Sequence, residues 1–183
     1  MSSKYIISDH QSPHFITFAT IQWVDALSRP HYKDLIVNSL RYCQQEKGLI
    51  LYAYVIMSNH VHLIAAAKED YNLSDILRDL KKYTSKKLIH EISNNHQESR
   101  KDWMMWLFKS AGKRNSNNKI YQFWQQDNHP VQLSTNEMMD QRLEYVHYNP
   151  VKEGLVYEPE YYPYSSALNY ADGTGMLAVE FLG

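Results

Sequence analysis

Apolar residues in the first part of the chain change their spacing, which predicts a strand followed by a helix. Residues 14–24 are rich in β-branched and aromatic types with partial alternation, a pattern typical of a strand. Residues 31–47 place their apolar side chains at helical spacing, and Gly48 follows as a natural end for a helix.

A pair of antiparallel strands is predicted next. Residues 49–57 are continuously apolar, a short run typical of a buried central strand. Ser58 and Asn59 favour a turn, and residues 60–66 follow as a second strand. Because the turn between them is so short, we expect the two strands to pair.

A long amphipathic helix and a polar excursion are predicted after this hairpin. Asn72 can cap a helix whose apolar positions form one stripe, while the opposite face is basic. Residues 94–119 combine a polar start, an aromatic centre and a basic, asparagine-containing tail. This composition favours a mobile insertion.

The last predicted elements are a short strand and a helix. Residues 131–133 follow the turn-prone run DNHP and predict the strand. Ser134 or Thr135 can cap the helix, which is favoured by acidic residues in its first turns. Pro150 disfavours helical geometry at the residue before it, so we expect this helix to end or kink at Asn149.

Together these elements predict an α+β fold. Their order matches a ferredoxin-like split βαβ arrangement, an antiparallel sheet with helices on one face, followed by a C-terminal helix. We interpret residues 1–183 as a single domain with its core at about 14–156 and a tyrosine-rich tail over 157–183. Since this fold hosts many functions, any function must be argued from a site.

Composition narrows the class of protein further. The 183 residues are 44% hydrophobic, enough for one packed domain. No apolar run approaches the roughly 18 residues that cross a bilayer, and the first residues lack the pattern of a secretion signal. Cys43 is the single cysteine, which excludes an intramolecular disulfide and suits a reducing cytoplasm.

The net charge of −1 hides a strongly basic segment. Residues 78–119 hold eleven Lys and Arg against four Asp and Glu, a local balance of +7. A phosphate backbone responds to such a local basic face, so a nucleic-acid partner is compatible with the composition. A solvated helix face explains the charges equally well, although Trp103 and Trp106 nearby would suit stacking of unpaired bases. The candidate phosphate contacts are Arg78, Lys81, Lys82, Lys86, Lys87, Lys113 and Arg114.

Two pairs of side chains are candidates for chemistry. Alternate residues of a strand share a face, so His60 and His62 form a two-point clamp for Mg²⁺, Mn²⁺ or Zn²⁺. Tyr145 and Asn149 are four residues apart, which places a phenol and an amide on one face of a helix. The phenol could act as a nucleophile and the amide as a metal ligand. Taken singly, each pair is also explained by packing or by surface hydrogen bonds.

Three runs of residues, in this order along the chain, resemble a known family. YVIMSNHVHLI, EYVHYNPVKEGLV and YPYSSALNY are similar to motifs of the HUH single-tyrosine transposases of the IS200/IS605 type, most closely of their REP-associated branch. The resemblance spans roughly residues 14–171. It implies that His60 and His62 bind a metal ion and that Tyr145 is the nucleophile. Asn149 stands where insertion-sequence members usually have a glutamine ligand.

The resemblance also implies a reaction and its partners. We expect a prokaryotic, cytoplasmic, nucleoid-associated DNA strand transferase that uses Mg²⁺ or Mn²⁺ and acts on single-stranded or hairpin DNA, as a monomer or a homodimer. Tyr145 would form a 5′-phosphotyrosine and release a 3′-hydroxyl. Rejoining would need no ATP, because the covalent link keeps the energy of the broken bond.

Several alternatives stay open. Tyr83, on the basic helix, is a rival nucleophile. The chain could be a housekeeping nickase that has lost mobility, or a module that binds structured DNA and whose catalytic residues are vestigial. An unrelated Zn hydrolase is disfavoured, because neither an HExxH motif nor a cysteine partner accompanies the two histidines.

Overall fold

A four-stranded antiparallel sheet organises the computed structural model, which describes residues 6–115, 120–171 and 173–182. The strands lie in the order β2-β3-β1-β4, and each neighbouring pair is antiparallel. This is the predicted ferredoxin-like split βαβ arrangement, so the α+β fold is confirmed. The strands are β1 (His14–Ala19), β2 (Leu49–Ile56), β3 (His60–Ala67) and β4 (Val131–Gln132).

Helices cover both faces of this sheet. They are α1 (Pro30–Glu46), α2 (Leu73–Asn94), α3 (Lys101–Lys113), α4 (Asn136–Lys152) and α5 (Ala167–Ala171), with 3₁₀ turns at Ile21–Trp23 and Pro159–Tyr161. Within the described ranges, none of the helices has the length and apolar character that crossing a membrane requires.

The side chains of β1 show which helices share a face. The ring of Phe18 contacts Trp124, whose Nε1 donates to Thr84 Oγ1 of α2. The ring of Phe15 contacts Tyr145 of α4. Because Phe15 and Phe18 are three residues apart on a strand, they point to opposite faces. The helix α1 packs against α2, so these two helices lie on one face and α4 on the other.

Local signals set the ends of the helices as the sequence predicts. Gly48 follows α1 with a φ of 70°, the left-handed conformation that ends a helix. Asn72 caps α2 by accepting a hydrogen bond from Asp75 N. Of the two predicted caps for α4, Thr135 accepts from Met138 N and is the residue used.

Two predicted boundaries are wrong. Strand β1 ends at Ala19 instead of continuing to residue 24, because Gln22 and Trp23 take positive φ values of 52° and 55°. Helix α4 continues through Pro150 to Lys152, so the predicted end at Asn149 is wrong, while the kink predicted as the other outcome stays a prediction. A proline inside a helix loses one backbone hydrogen bond. Here the Pro150 ring is buried, and packing against the fold offsets that loss.

The prediction of a mobile insertion over 94–119 is wrong for α3. Met104, Leu107 and Phe108 recur at helical spacing and are buried in the hydrophobic core. This apolar stripe gives the segment a face to pack, so it forms a helix of the fold. Residues 116–119 lie outside the described residues.

Within the predicted tail, 157–183, the described residues 157–171 and 173–182 pack along the free edge of β2. Ile56 N donates to Tyr164 O and Ser166 N donates to Tyr54 O, each at 2.9 Å. An uncovered strand edge can pair with other chains, so this segment protects β2. The buried core therefore extends beyond residue 156, its predicted limit. The assignment of the whole chain to one domain stays a prediction.

Ser166 joins this C-terminal segment to α4. Its Oγ lies 2.9 Å from His147 Nε2 and accepts a 2.9 Å hydrogen bond from Tyr54 N. Burial lowers the pKa of His147 to about 4, so its imidazole is neutral at ordinary pH. Helix α4, strand β2 and the C-terminal segment are thus linked at one buried point.

Candidate active site

Strand β3 presents the two histidines on the face of the sheet that α4 covers. The ring centroids of His60 and His62 lie 4.6 Å apart, and both side chains are buried. His60 Nδ1 is 2.7 Å from Asn59 Oδ1, and His62 Nδ1 is 2.7 Å from Thr17 Oγ1. The Nε2 atoms are therefore left to bind a ligand, an arrangement usual for histidines that hold metal ions.

Burial favours the neutral form of both imidazoles. It lowers the pKa of His60, a shift that the nearby Asn149 amide and Glu153 carboxylate oppose. The pKa of His62 falls to about 3, first through burial and then through the proximity of His60 and Arg142. Neutral imidazoles offer a lone pair to a metal ion without first losing a proton.

Helix α4 brings Tyr145 and Asn149 to the histidine pair. The ring centroid of Tyr145 lies 5.3 Å from that of His62, and 36% of the tyrosine is exposed. Asn149 is buried, and its amide lies close enough to the His60 imidazole to raise the pKa of that ring, but its Oδ1 makes no hydrogen bond of ordinary geometry among the described residues. Because α4 does not break at Asn149, the four-residue spacing keeps both side chains on one face.

An unpaired buried amide oxygen needs an explanation, since leaving it unsatisfied costs free energy. Asn149 Oδ1 together with the two imidazoles makes a donor set that fits a divalent metal ion. Among the described residues, no group of three or more His, Cys, Asp or Glu could hold a metal ion. A metal site here would therefore depend on Asn149 and on oxygen atoms of a bound substrate.

Two cations near Tyr145 were missed by the sequence analysis. Arg142 and Lys152 share one face of α4 with Tyr145 and Asn149, because the four residues follow one another at intervals of three, four and three. Lys152 Nζ is 5.2 Å and Arg142 Cζ is 5.9 Å from the centroid of the Tyr145 ring. Helical periodicity counted from Tyr145 would have found both.

Two of the predicted phosphate contacts are held by protein groups. Lys81 Nζ donates to Gln125 O and to Asn128 Oδ1, each at 2.7 Å, and burial lowers its pKa to about 8. Its ammonium therefore ties α2 to the loop before β4. Arg78 is exposed but paired with Asp75 and Asp79 at 2.5 and 3.0 Å.

The other predicted phosphate contacts are exposed. Lys82, Lys86 and Lys87 lie on α2, and Lys113 and Arg114 lie at the C-terminal end of α3. Since α2 covers the face opposite to α4, the structure does not bring the lysines of α2 together with the histidine pair. Tyr83, the alternative candidate nucleophile, is also exposed on α2, and the sheet separates it from the histidines in the same way.

Comparison with known proteins identifies the family. The family model described as "Transposase IS200 like" matches residues 14–120, more than half of the chain. The chain belongs to the IS200-like transposase family. The match includes both histidines of the transposase but ends before Tyr145.

A solved structure shares the fold of this IS200-like transposase. A REP-associated tyrosine transposase bound to a REP hairpin is similar with a TM-score of 0.67 at 17% identity, over 100% of this chain and 92% of that chain. A putative transposase from Deinococcus radiodurans R1 gives a TM-score of 0.46 at 15% identity, over 80% of this chain and 94% of that chain. No curated protein matches.

Proposed function

We propose that this protein is a metal-dependent, single-stranded DNA endonuclease and strand transferase that forms a 5′-phosphotyrosine on hairpin-containing DNA. The observation that carries the proposal is the proximity of His62 to Tyr145, since their ring centroids lie 5.3 Å apart. Membership of a transposase family and the unpaired oxygen of Asn149 support it.

Three side chains would hold the metal ion, for which we propose Mg²⁺ or Mn²⁺. His60 and His62 would contribute Nε2 atoms, since both Nδ1 atoms have partners, and Asn149 would contribute its unpaired Oδ1. A bound divalent ion supplies Lewis acidity, which polarises a phosphate oxygen and offsets developing negative charge.

Tyr145 would act as the nucleophile. Its Oη would lose its proton to solvent and form a bond to phosphorus while the bond between phosphorus and the 3′ oxygen breaks, and that oxygen would take up a proton from solvent and leave as a 3′-hydroxyl. Arg142 and Lys152, both near the Tyr145 ring, would stabilise the negative charge of the phosphate. Attack by a second 3′-hydroxyl would reverse the step, release Tyr145 and join new ends.

A covalent adduct would test this proposal. The protein is incubated with a labelled DNA hairpin that carries a randomised single-stranded flank, with Mg²⁺, Mn²⁺ or EDTA, and the products are denatured. We expect a denaturation-resistant protein–DNA adduct with either metal ion and none with EDTA. Hairpin binding without an adduct under any metal would reject the enzyme and favour a domesticated, non-catalytic protein that binds structured DNA.

The exposed lysines of α2 give a prediction on affinity. Replacing Lys82 and Lys86 by alanine should weaken hairpin binding and lower the slope of log K against log salt by about 1.5 to 2 units, if each lysine contacts one phosphate. The measurement is the dissociation constant over a series of NaCl concentrations. Lys81→Met is the matched control and should keep the slope, because the Lys81 ammonium already bonds to protein oxygens. An unchanged slope in the double variant would mean that these lysines form only a solvated face.

A further inference from the structure

Trp23 lies beside the candidate metal pair and faces solvent. Its ring centroid is 5.6 Å from that of His60, with the two ring planes at 65°. The side chain is 52% exposed, although tryptophan is large and apolar. Core packing therefore does not account for its position.

The backbone at Trp23 is in an uncommon conformation. Gln22 and Trp23 have consecutive φ values of 52° and 55°, in the left-handed region that bulky residues rarely adopt. Hydrogen bonds hold this turn, since Trp23 N donates to Thr20 O at 3.0 Å and Thr20 Oγ1 donates to Val24 O at 2.7 Å. Strained backbone of this kind persists where the surroundings enforce it, and it is concentrated at functional sites.

Asn59 links this turn to the histidine pair. Its Nδ2 donates to Trp23 O at 3.2 Å, while its Oδ1 lies 2.7 Å from His60 Nδ1. One amide side chain therefore fixes both the turn that carries the indole and the ring orientation of a candidate metal ligand. The backbone that carries the exposed indole is consequently held in a set position relative to His60.

We propose that Trp23 is a stacking platform for an unpaired nucleobase of the DNA strand whose phosphate is bound at His60. The inference rests on the proposed function for the place of that phosphate. The 5.6 Å between the Trp23 and His60 rings is about the distance between neighbouring nucleotides of a strand, so a base next to a phosphate at His60 could reach the indole. Aromatic rings bind unpaired bases by stacking, with little dependence on base identity. Trp23 would thus position the strand next to the bond that is cut.

Equilibrium binding with matched probes tests the proposal. All proteins carry Tyr145→Phe so that covalent chemistry does not contribute, and correct folding is checked by circular dichroism. One fluorescent hairpin has a 16-nucleotide flank of mixed bases, and a second has a flank of equal length made of abasic nucleotides. Trp23→Ala, Trp23→Phe and Tyr42→Ala are compared by fluorescence anisotropy. Tyr42 is the control because it is an exposed aromatic residue, 54% accessible, on α1 at the opposite face of the sheet.

Stacking predicts a specific pattern of affinities. Trp23→Ala should weaken binding of the base-containing flank by about 5- to 150-fold, the range for loss of one stacked base. Trp23→Phe should recover most of this loss, and Tyr42→Ala should cause none. On the abasic flank, Trp23→Ala should bind as tightly as its parent, because no base is there to stack.

Two results would overturn the proposal. Equal losses for Trp23→Ala on both flanks would show a structural role of the indole, and no loss on either flank would show no role in binding. These outcomes are independent of the adduct experiment. If no adduct forms but the base-dependent loss is found, the proposed chemistry fails and Trp23 stays a base-binding residue.

Discussion

Replacing Tyr145 by phenylalanine is expected to abolish the covalent protein–DNA adduct, with a fall of at least about a thousand-fold in its rate of formation. The substitution removes only the Oη atom that would attack phosphorus. The aromatic ring stays against Phe15 and His62, so the packing of α4 should persist. The measurement is the fraction of labelled hairpin that migrates with the protein after denaturation, with Mn²⁺ present.

Tyr83→Phe is the matched control for this prediction. Tyr83 is 54% exposed on α2, on the other face of the sheet, and its loss should leave the adduct unchanged. Hairpin affinity should be the same in both variants, which separates loss of chemistry from loss of binding. An adduct that survives Tyr145→Phe and disappears in Tyr83→Phe would show that the nucleophile has been misassigned.

Replacing His62 by leucine is expected to remove metal-dependent cleavage. Leucine fills most of the buried space but has no nitrogen, so we expect Mn²⁺ affinity to fall by at least about 100-fold, more than the loss of an outer hydrogen-bond partner usually causes. Calorimetric titration with Mn²⁺ and the adduct assay measure the two effects separately. Thr17→Val, which removes the hydroxyl at His62 Nδ1, should lower Mn²⁺ affinity by a smaller factor, about 10- to 100-fold.

His90→Leu serves as the control for the His62 variant. His90 is exposed on α2 and lies on the face of the sheet opposite to α4, so its replacement should change neither Mn²⁺ affinity nor adduct formation. Wild-type Mn²⁺ affinity in a folded His62→Leu protein would contradict the proposed metal site.

Local sequence patterns were sufficient to predict which side chains of the candidate site share a face. Alternation along a strand places His60 and His62 on one face, and four-residue spacing does the same for Tyr145 and Asn149 on α4. Both relations depend only on backbone periodicity, which neighbouring elements rarely change. The Thr135 cap follows from equally local chemistry, the hydrogen bond that its hydroxyl accepts from Met138 N.

The failures depend on contacts between distant segments. Pro150 is tolerated inside α4 because its ring is buried, and no neighbouring residue in the sequence signals that burial. Lys81 points to the carbonyl groups of the loop before β4, which follows it by more than forty residues. The turn at Trp23 is held by Asn59 and lacks the glycine that usually marks a positive φ. None of these three features could be predicted without the tertiary structure.

The buried junction at Ser166 affects the alignment of the candidate active site. His147 sits between Tyr145 and Asn149 on α4, on the side turned toward β2, and its partner Ser166 is itself bonded to Tyr54. The register of Tyr145 over the histidines therefore depends on Ser166, which follows Tyr145 in the chain. The position of Tyr145 relative to the histidines is then fixed when the protein folds, before any ligand binds. A chain shortened before Ser166 would keep every residue of the candidate site and lose the hydrogen bonds that align them.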